Sequence, residues 1–365
     1  MKNIAPLALD VIRTNIRVNG VIAATHSPGE KHKDYLHIWP RDSLFVALEL
    51  MNFDMQSAKN IVEGIINLPH DNGLFYQRYE QDSQPDPHGW CNNDDSRQLD
   101  QDALKFVAIS KFPNLNIDTE KVRKSYFELL KKIEDKRPST DVWEQKTGYF
   151  FYTTACLIWG LKSAEKAIKN SRTRHKSILR EIIKSLDSFY DKNLKSYVKS
   201  PSERITDLEV VLGLNVLFDS GHAFDTEGLL KAVSTLERLE DELCHTVCGI
   251  KIPIRYNGDF WDGENAYGNC RPWPMGCALI SQAYSHIASR ALEISEHDLS
   301  AKALKNAERW LNYVKSMPHI GQFPEQIDYD GSLPKSVPRP LTWYAAEAMK
   351  AERLYNLKAS KKPLN

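Results

Sequence analysis

Apolar residues recur every third or fourth position along almost the whole chain, and the strict alternation of a half-buried strand is hard to find. That spacing predicts about twelve helices, over 5–18, 41–52, 54–68, 97–110, 119–135, 147–169, 172–191, 204–218, 223–240, 273–294, 297–316 and 340–357. How these stretches are joined constrains the fold further. Connections after the even-numbered helices are short, whereas those after the odd-numbered ones are mostly long, as at 19–40, 69–96, 241–272 and 318–339. In a chain that runs up and down, every connection after an odd helix leaves at the same end. The long loops therefore gather on one face, and a functional site belongs there.

The two sets of helices differ in dress. Residues from Tyr149 to Gly160 are almost all hydrophobic or small, as are Val210 to Leu214, which suits helices covered on every side. Residues from His175 to Leu186 instead carry one apolar stripe and a charged back, which suits an outer position. Six inner and six outer helices make an all-α (α/α)6 barrel whose mouth is formed by the long loops before the inner helices. No low-complexity linker or internal break divides it, so 1–365 reads as one domain, with 358–365 as a frayed tail.

Charge narrows the partner. Lys plus Arg and Asp plus Glu are equal at 48 each, so no net field draws the chain to nucleic acid or to an anionic membrane. No apolar run approaches the roughly 18 residues of a membrane span, and the first residues lack the pattern of a secretory signal. Six cysteines in 365 residues make no disulfide framework, and a reducing cytoplasm fits them. Cys244, His245, Cys248 and Cys270 lack the paired spacing of a zinc site, and the acids around Asp94, Asp95, Asp100 and Asp102 lack the basic partners of a Mg²⁺-diphosphate site. Neither metal nor cofactor is expected.

Two carboxylates stand in specific settings. Glu144 follows Trp143 in Asp141-Val142-Trp143-Glu144-Gln145, ahead of the strongly apolar sixth stretch, and is expected at the mouth of that helix. Glu325 follows Pro324 in Phe323-Pro324-Glu325-Gln326. A lone Glu is commonly a solvated surface group or a favourable charge in a first helical turn, but two of them can share acid and base work in glycoside hydrolysis. The other predicted inner-helix starts carry Trp39-Pro40-Arg41-Asp42-Ser43, where Asp42 or Ser43 could simply cap the helix, and Gln98-Leu99-Asp100. Later come Arg255-Tyr256 and Arg271-Pro272-Trp273. Aromatic rings stack on the apolar faces of a pyranose while Arg, Asp and Asn take its hydroxyls.

In their order along the chain, Trp39-Pro40-Arg41-Asp42, Trp143-Glu144, Arg255-Tyr256, Pro272-Trp273, Pro324-Glu325-Gln326 and Leu341-Thr342-Trp343 resemble the motifs of glycoside hydrolase family 15, the glucoamylase family. The resemblance implies an (α/α)6 barrel that releases glucose, as the β-anomer, from the non-reducing end of small α-glucans or α-glucosides. By the same resemblance Glu144 is the general acid and Glu325 the general base. Arg41, Asp42 and Arg255 hold substrate hydroxyls, Trp39, Trp143 and Trp273 wall the pocket, and Gln145, Tyr256 and Asp100 complete the substrate-binding set. Gln145 is a departure, since the family commonly has a second Glu there. A trehalase on the same fold and a non-catalytic carbohydrate-binding or regulatory barrel are the alternative readings.

Overall fold

The structure, a computed structural model, describes residues 3–26, 35–89, 97–167, 172–259, 261 and 271–360. Among the described residues there are twelve α-helices, and they fall into two sets. The even set is α2 (Pro40–Leu50), α4 (Leu99–Lys111), α6 (Phe151–Ala167), α8 (Glu209–Asp219), α10 (Met275–Glu293) and α12 (Thr342–Ala359). Each packs against the next, and α12 packs against α2, so the six close into a ring. The odd set is α1 (Ile4–Asn15), α3 (Met55–Asn67), α5 (Thr119–Glu134), α7 (Arg172–Ser185), α9 (Thr226–Leu243) and α11 (His297–Ser316). These lie outside the ring, α1 on α12, α3 on α2, α5 on α4, α7 on α6, and α9 and α11 on α10. The (α/α)6 barrel expected from the connections is the observed architecture.

Burial follows position. In α10 every residue from Met275 to Ser285 is buried, because the helix meets ring neighbours on two sides and outer helices behind. In α11 the buried residues are Ala303, Ala307, Trp310, Leu311 and Val314, a single stripe at helical spacing. Starts differ too. Asp54, Asp118 and Asp225 cap α3, α5 and α9 by accepting backbone N–H bonds, whereas α2, α4, α8, α10 and α12 begin without a side-chain cap. The reading of Asp42 or Ser43 as a cap for α2 is therefore corrected; Ser43 instead hydrogen-bonds the backbone of Val21.

No apolar periodicity announces the small ribbons on the loop face. Each connection leaving an odd helix carries an antiparallel pair or half of one: β1 (Ile16–Arg17) with β2 (Gly20–Val21), β4 (His70–Asp71) with β5 (Leu74–Phe75), β6 (Ser139–Thr140) with β7 (Thr147–Gly148), β8 (Tyr190–Asp191) with β9 (Ser196–Tyr197), and β10 (Cys244–Val247) with β11 (Ile250–Pro253). The last long loop supplies β12 (Arg339–Leu341), which pairs with β3 (Ala24–His26) near the start of the chain and joins the ends of the ring. Strands of two to four residues are too short to show alternation. They trim the expected helices: the first ends at Asn15 rather than 18, the sixth starts at Phe151 rather than 147, and the eighth starts at Glu209 rather than 204. Of the expected tail, 358–359 continue α12, and 361–365 lie outside the described residues. No helix among the described residues is long and apolar enough to cross a membrane.

Candidate functional site

A cavity of about 480 Å³ opens on the loop face. Of the eleven site residues expected from the sequence, Trp39, Arg41, Asp42, Trp143, Glu144, Gln145, Arg255, Trp273 and Glu325 line it. Asp100 and Tyr256 are not among its lining residues. Asp100 is buried behind the wall with a carboxylate oxygen 3.4 Å from the Arg41 guanidinium, and the Tyr256 hydroxyl donates to Gln145 Oε1.

Local structure explains how each group arrives there. Pro40 opens α2, so Arg41 and Asp42 sit in its first turn, with Trp39 just outside and covered by the Arg78 guanidinium 5.3 Å from its ring centre. Glu144 is not at a helix mouth as expected. It lies at the tip of the turn between β6 and β7 with φ +62°, a left-handed conformation unusual for a residue with a side chain. Arg255 follows β11, forms a buried bidentate pair with Asp259, and lies against the rings of Trp143 and Trp273, which meet edge-on at 5.3 Å and each stand 5.2 Å from its guanidinium carbon. Glu325 is anchored through its N–H to the Pro338 carbonyl at 3.1 Å, beside the β3–β12 ribbon that leads into α12.

The two carboxyl groups have different surroundings. Glu144 receives hydrogen bonds from Gln77 Nε2 at 2.6 Å, Gln98 Nε2 at 3.2 Å and Arg41 at 3.3 Å, yet burial outweighs these and pushes its carboxyl up to about 7. A carboxyl at that value is a proton donor near neutrality. Glu325 is reached by the Tyr35 hydroxyl, which donates to its two oxygens at 2.6 and 2.7 Å. Burial and the neighbouring Glu325 hold Tyr35 well above the ordinary phenol range, so it stays a donor. Asp42 is also pushed up, to about 6, by burial working against the Arg41 charge.

In the cavity wall the buried Trp273 Nε1 has no hydrogen-bond partner among the described residues, and Arg41 Nε and Asp42 Oδ1 form an ion pair with each other at 3.6 Å, beyond hydrogen-bond distance. Buried polar atoms are normally satisfied, so this wall has hydrogen-bonding capacity left for a polar ligand. No group of three or more His, Cys, Asp or Glu suited to a metal occurs among the described residues; Cys270, Asp94 and Asp95 lie outside them. Cys156, Cys244, Cys248 and Cys277 are free thiols.

Sequence reasoning missed Tyr35 and Gln77, and it gave Gln98 no role. Tyr35 touches Glu325 across 290 positions and Gln77 touches Glu144 across 67, and no local pattern announces either.

No family model matches the chain. An uncharacterized glycosyl hydrolase of Methanocaldococcus jannaschii is 25% identical to it, over 89% of this chain and 51% of the relative, so the chain spans about half the length of that curated relative. Among solved structures, a glucoamylase from Saccharomycopsis fibuligera matches with a TM-score of 0.75 at 19% identity, covering 97% of this chain and 94% of that one. A glycoside hydrolase family 15 glucoamylase from Hypocrea jecorina matches at 0.79 and 18% identity, covering 97% and 71%. A glycosidase solved in complex with glucose matches at 0.67 and 17% identity, covering 97% of each chain. The motif order, the ring of helices and these likenesses agree, and the chain carries the (α/α)6 fold of the family 15 glucoamylases.

Proposed function

We propose that this chain is an inverting, exo-acting α-glucoside hydrolase in which Glu144 is the general acid and Glu325 the general base. The helices from Ile4 to Ala359 form its catalytic domain. The observation that carries the reading is the pairing of unlike carboxyls in one cavity. Burial pushes the Glu144 carboxyl up to about 7, where it can give a proton near neutrality, and Glu325 in the same cavity accepts the Tyr35 hydroxyl on both oxygens. The glycosidase in complex with glucose and the curated glycosyl hydrolase support the substrate class.

In this reaction Glu144 gives its proton to the glycosidic oxygen as the bond from the anomeric carbon to that oxygen breaks. A water attacks the anomeric carbon from the opposite face and loses a proton to Glu325, so configuration inverts. Trp39, Trp143 and Trp273 wall the sugar ring, and Arg41 and Asp42, an ion pair at the cavity wall, meet its hydroxyls. Gln145, held by Tyr256, faces the leaving group.

Proton NMR of a fresh digest of methyl α-maltoside, whose leaving sugar has a blocked anomeric centre, tests this: the free glucose should be the β-anomer at first, and initial α-glucose would remove Glu325 from the role of base. Isomaltose and trehalose in the same assay assign the linkage, and glucose from trehalose alone would select the trehalase reading. Glu144→Gln should abolish maltose cleavage while partly sparing α-glucosyl fluoride, whose leaving group needs no proton.

A further inference from the structure

Beneath the cavity lies a cluster of buried charges that the proposed reaction does not use. Lys199, which follows β9, is 1% exposed, and its ammonium stands 2.6 Å from Asp141 Oδ2, 3.1 Å from Asp207 Oδ2 and 3.7 Å from Glu209 Oε2. All three carboxyls are fully buried. Burial alone would strip Lys199 of its proton, but the three acids outweigh it and raise its affinity for that proton, so it is a fixed cation.

Two of these acids grip the turn that carries Glu144, one on each side of it. Asp141 closes the turn: its Oδ1 accepts the N–H groups of Gln145 at 2.7 Å and Lys146 at 3.2 Å, and its carbonyl accepts that of Glu144 at 3.0 Å. Asp207 Oδ1 accepts the Trp143 indole N–H at 2.8 Å. A side-chain residue at φ +62° persists only where its surroundings over-determine it, and these bonds are the surroundings of Glu144. Both acids turn their second oxygen to the same ammonium. Without it they would face each other and Glu209 in a buried space, where like charges repel or take up protons.

The geometry points to Lys199 as a positioning residue for the proton donor, acting through Asp141 and Asp207 to hold Trp143, Glu144 and Gln145 in the one turn that aims Glu144 into the cavity. This rests on Glu144 being the general acid. A Lys199 that merely neutralised buried charge would matter for stability and for every substrate alike, whereas one that aims the acid matters most where the leaving group needs a proton.

The test compares maltose with α-glucosyl fluoride. Lys199→Met leaves three acids uncompensated and endangers folding, so it is combined with Glu209→Gln, which removes the one acid that does not hold the turn; Glu209→Gln alone is the control and should behave as wild type. The double variant, folded by circular dichroism, should lose roughly 100-fold in kcat on maltose with KM little changed, and less than about 5-fold on the fluoride, since a misplacement of about 1 Å costs that order in rate. Asp141→Asn, which keeps the turn's acceptor oxygen but ends the attraction to Lys199, should show the same selective loss at roughly 10-fold, and it decides the matter if the double variant does not fold. Equal losses on both substrates, or none in Asp141→Asn, would overturn the role of Lys199 and leave the proposed function standing. A wild-type protein that releases glucose from neither substrate would overturn both.

Discussion

At Glu144, burial and hydrogen bonding pull in opposite directions, and burial wins. A general acid works only while protonated, so kcat/KM for maltose should fall as pH rises through about 7, the value at which this carboxyl releases its proton. The Gln98 amide favours the ionised form, so Gln98→Ala should carry that alkaline limb to higher pH; an unmoved limb would mean another group sets it. Stability carries the same signature. Because its pKa in the folded chain lies above the ordinary 4.5, the folded state holds a proton that the unfolded state has lost between those values. The fold is therefore weakened as pH rises from about 4.5 to about 7, and Glu144→Gln should be more stable than wild type at neutral pH while the two converge at acidic pH. Thermal melts at pH 4 and pH 7.5 check the sign. At the other carboxyl, Tyr35→Phe removes a hydrogen bond to a charged group worth about 1.5–3 kcal/mol, so turnover on maltose and on glucosyl fluoride should fall together by one to two orders of magnitude.

Among the elements, the ring depends on how closely the inner helices approach. Gly160 in α6 packs so tightly on α4 that a methyl group there would lie 2.6 Å from the Ala103 carbonyl oxygen and 2.8 Å from its Cα. Helix propensity alone favours Ala over Gly by up to about 1 kcal/mol, but here the obstacle is backbone, and overpacking of this kind costs about 1–3 kcal/mol. Gly160→Ala should therefore destabilise the protein in urea titrations; a gain would show that the two helices are free to part. The helices were legible because each needs three or more turns to bury its stripe, and periodicity accumulates over such lengths. The ribbons were not, since β6 and β7 contribute only Ser139, Thr140, Thr147 and Gly148, and what fixes them is pairing across a turn. The acid's exact placement was lost with them: Trp143-Glu144 was recognised by its residues, but the turn that presents it is set by Asp141, Asp207 and Lys199, the last two more than fifty positions downstream.

Across the whole molecule, the barrel has two ends and they are not equivalent. The loop face holds the cavity with Glu144 and Glu325, and the far end holds a smaller one of about 240 Å³, lined by Phe45, Glu49, Trp159, Asp219, Lys350 and Arg353 among others. The two share no lining residue. Between them stands Trp343: its ring lines the loop-face cavity and stacks on Phe45 of the far one at 5.7 Å, and its indole N–H donates to Glu347, which also lines the far cavity. Ion pairs of Glu49 with Arg353 and Asp219 with Lys350 brace that end. On the proposed function, a glucan entering from the loops would meet this floor, with Arg41 and Asp42 beside it, and only a chain terminus can reach a floor. Cleavage should remove one glucose at a time from the non-reducing end. With maltoheptaose labelled at its reducing end, the first labelled product should be the hexasaccharide, followed by each shorter member in turn. Early labelled fragments of middle length would mean that a chain can lie across the site, and the blind pocket would then be wrong.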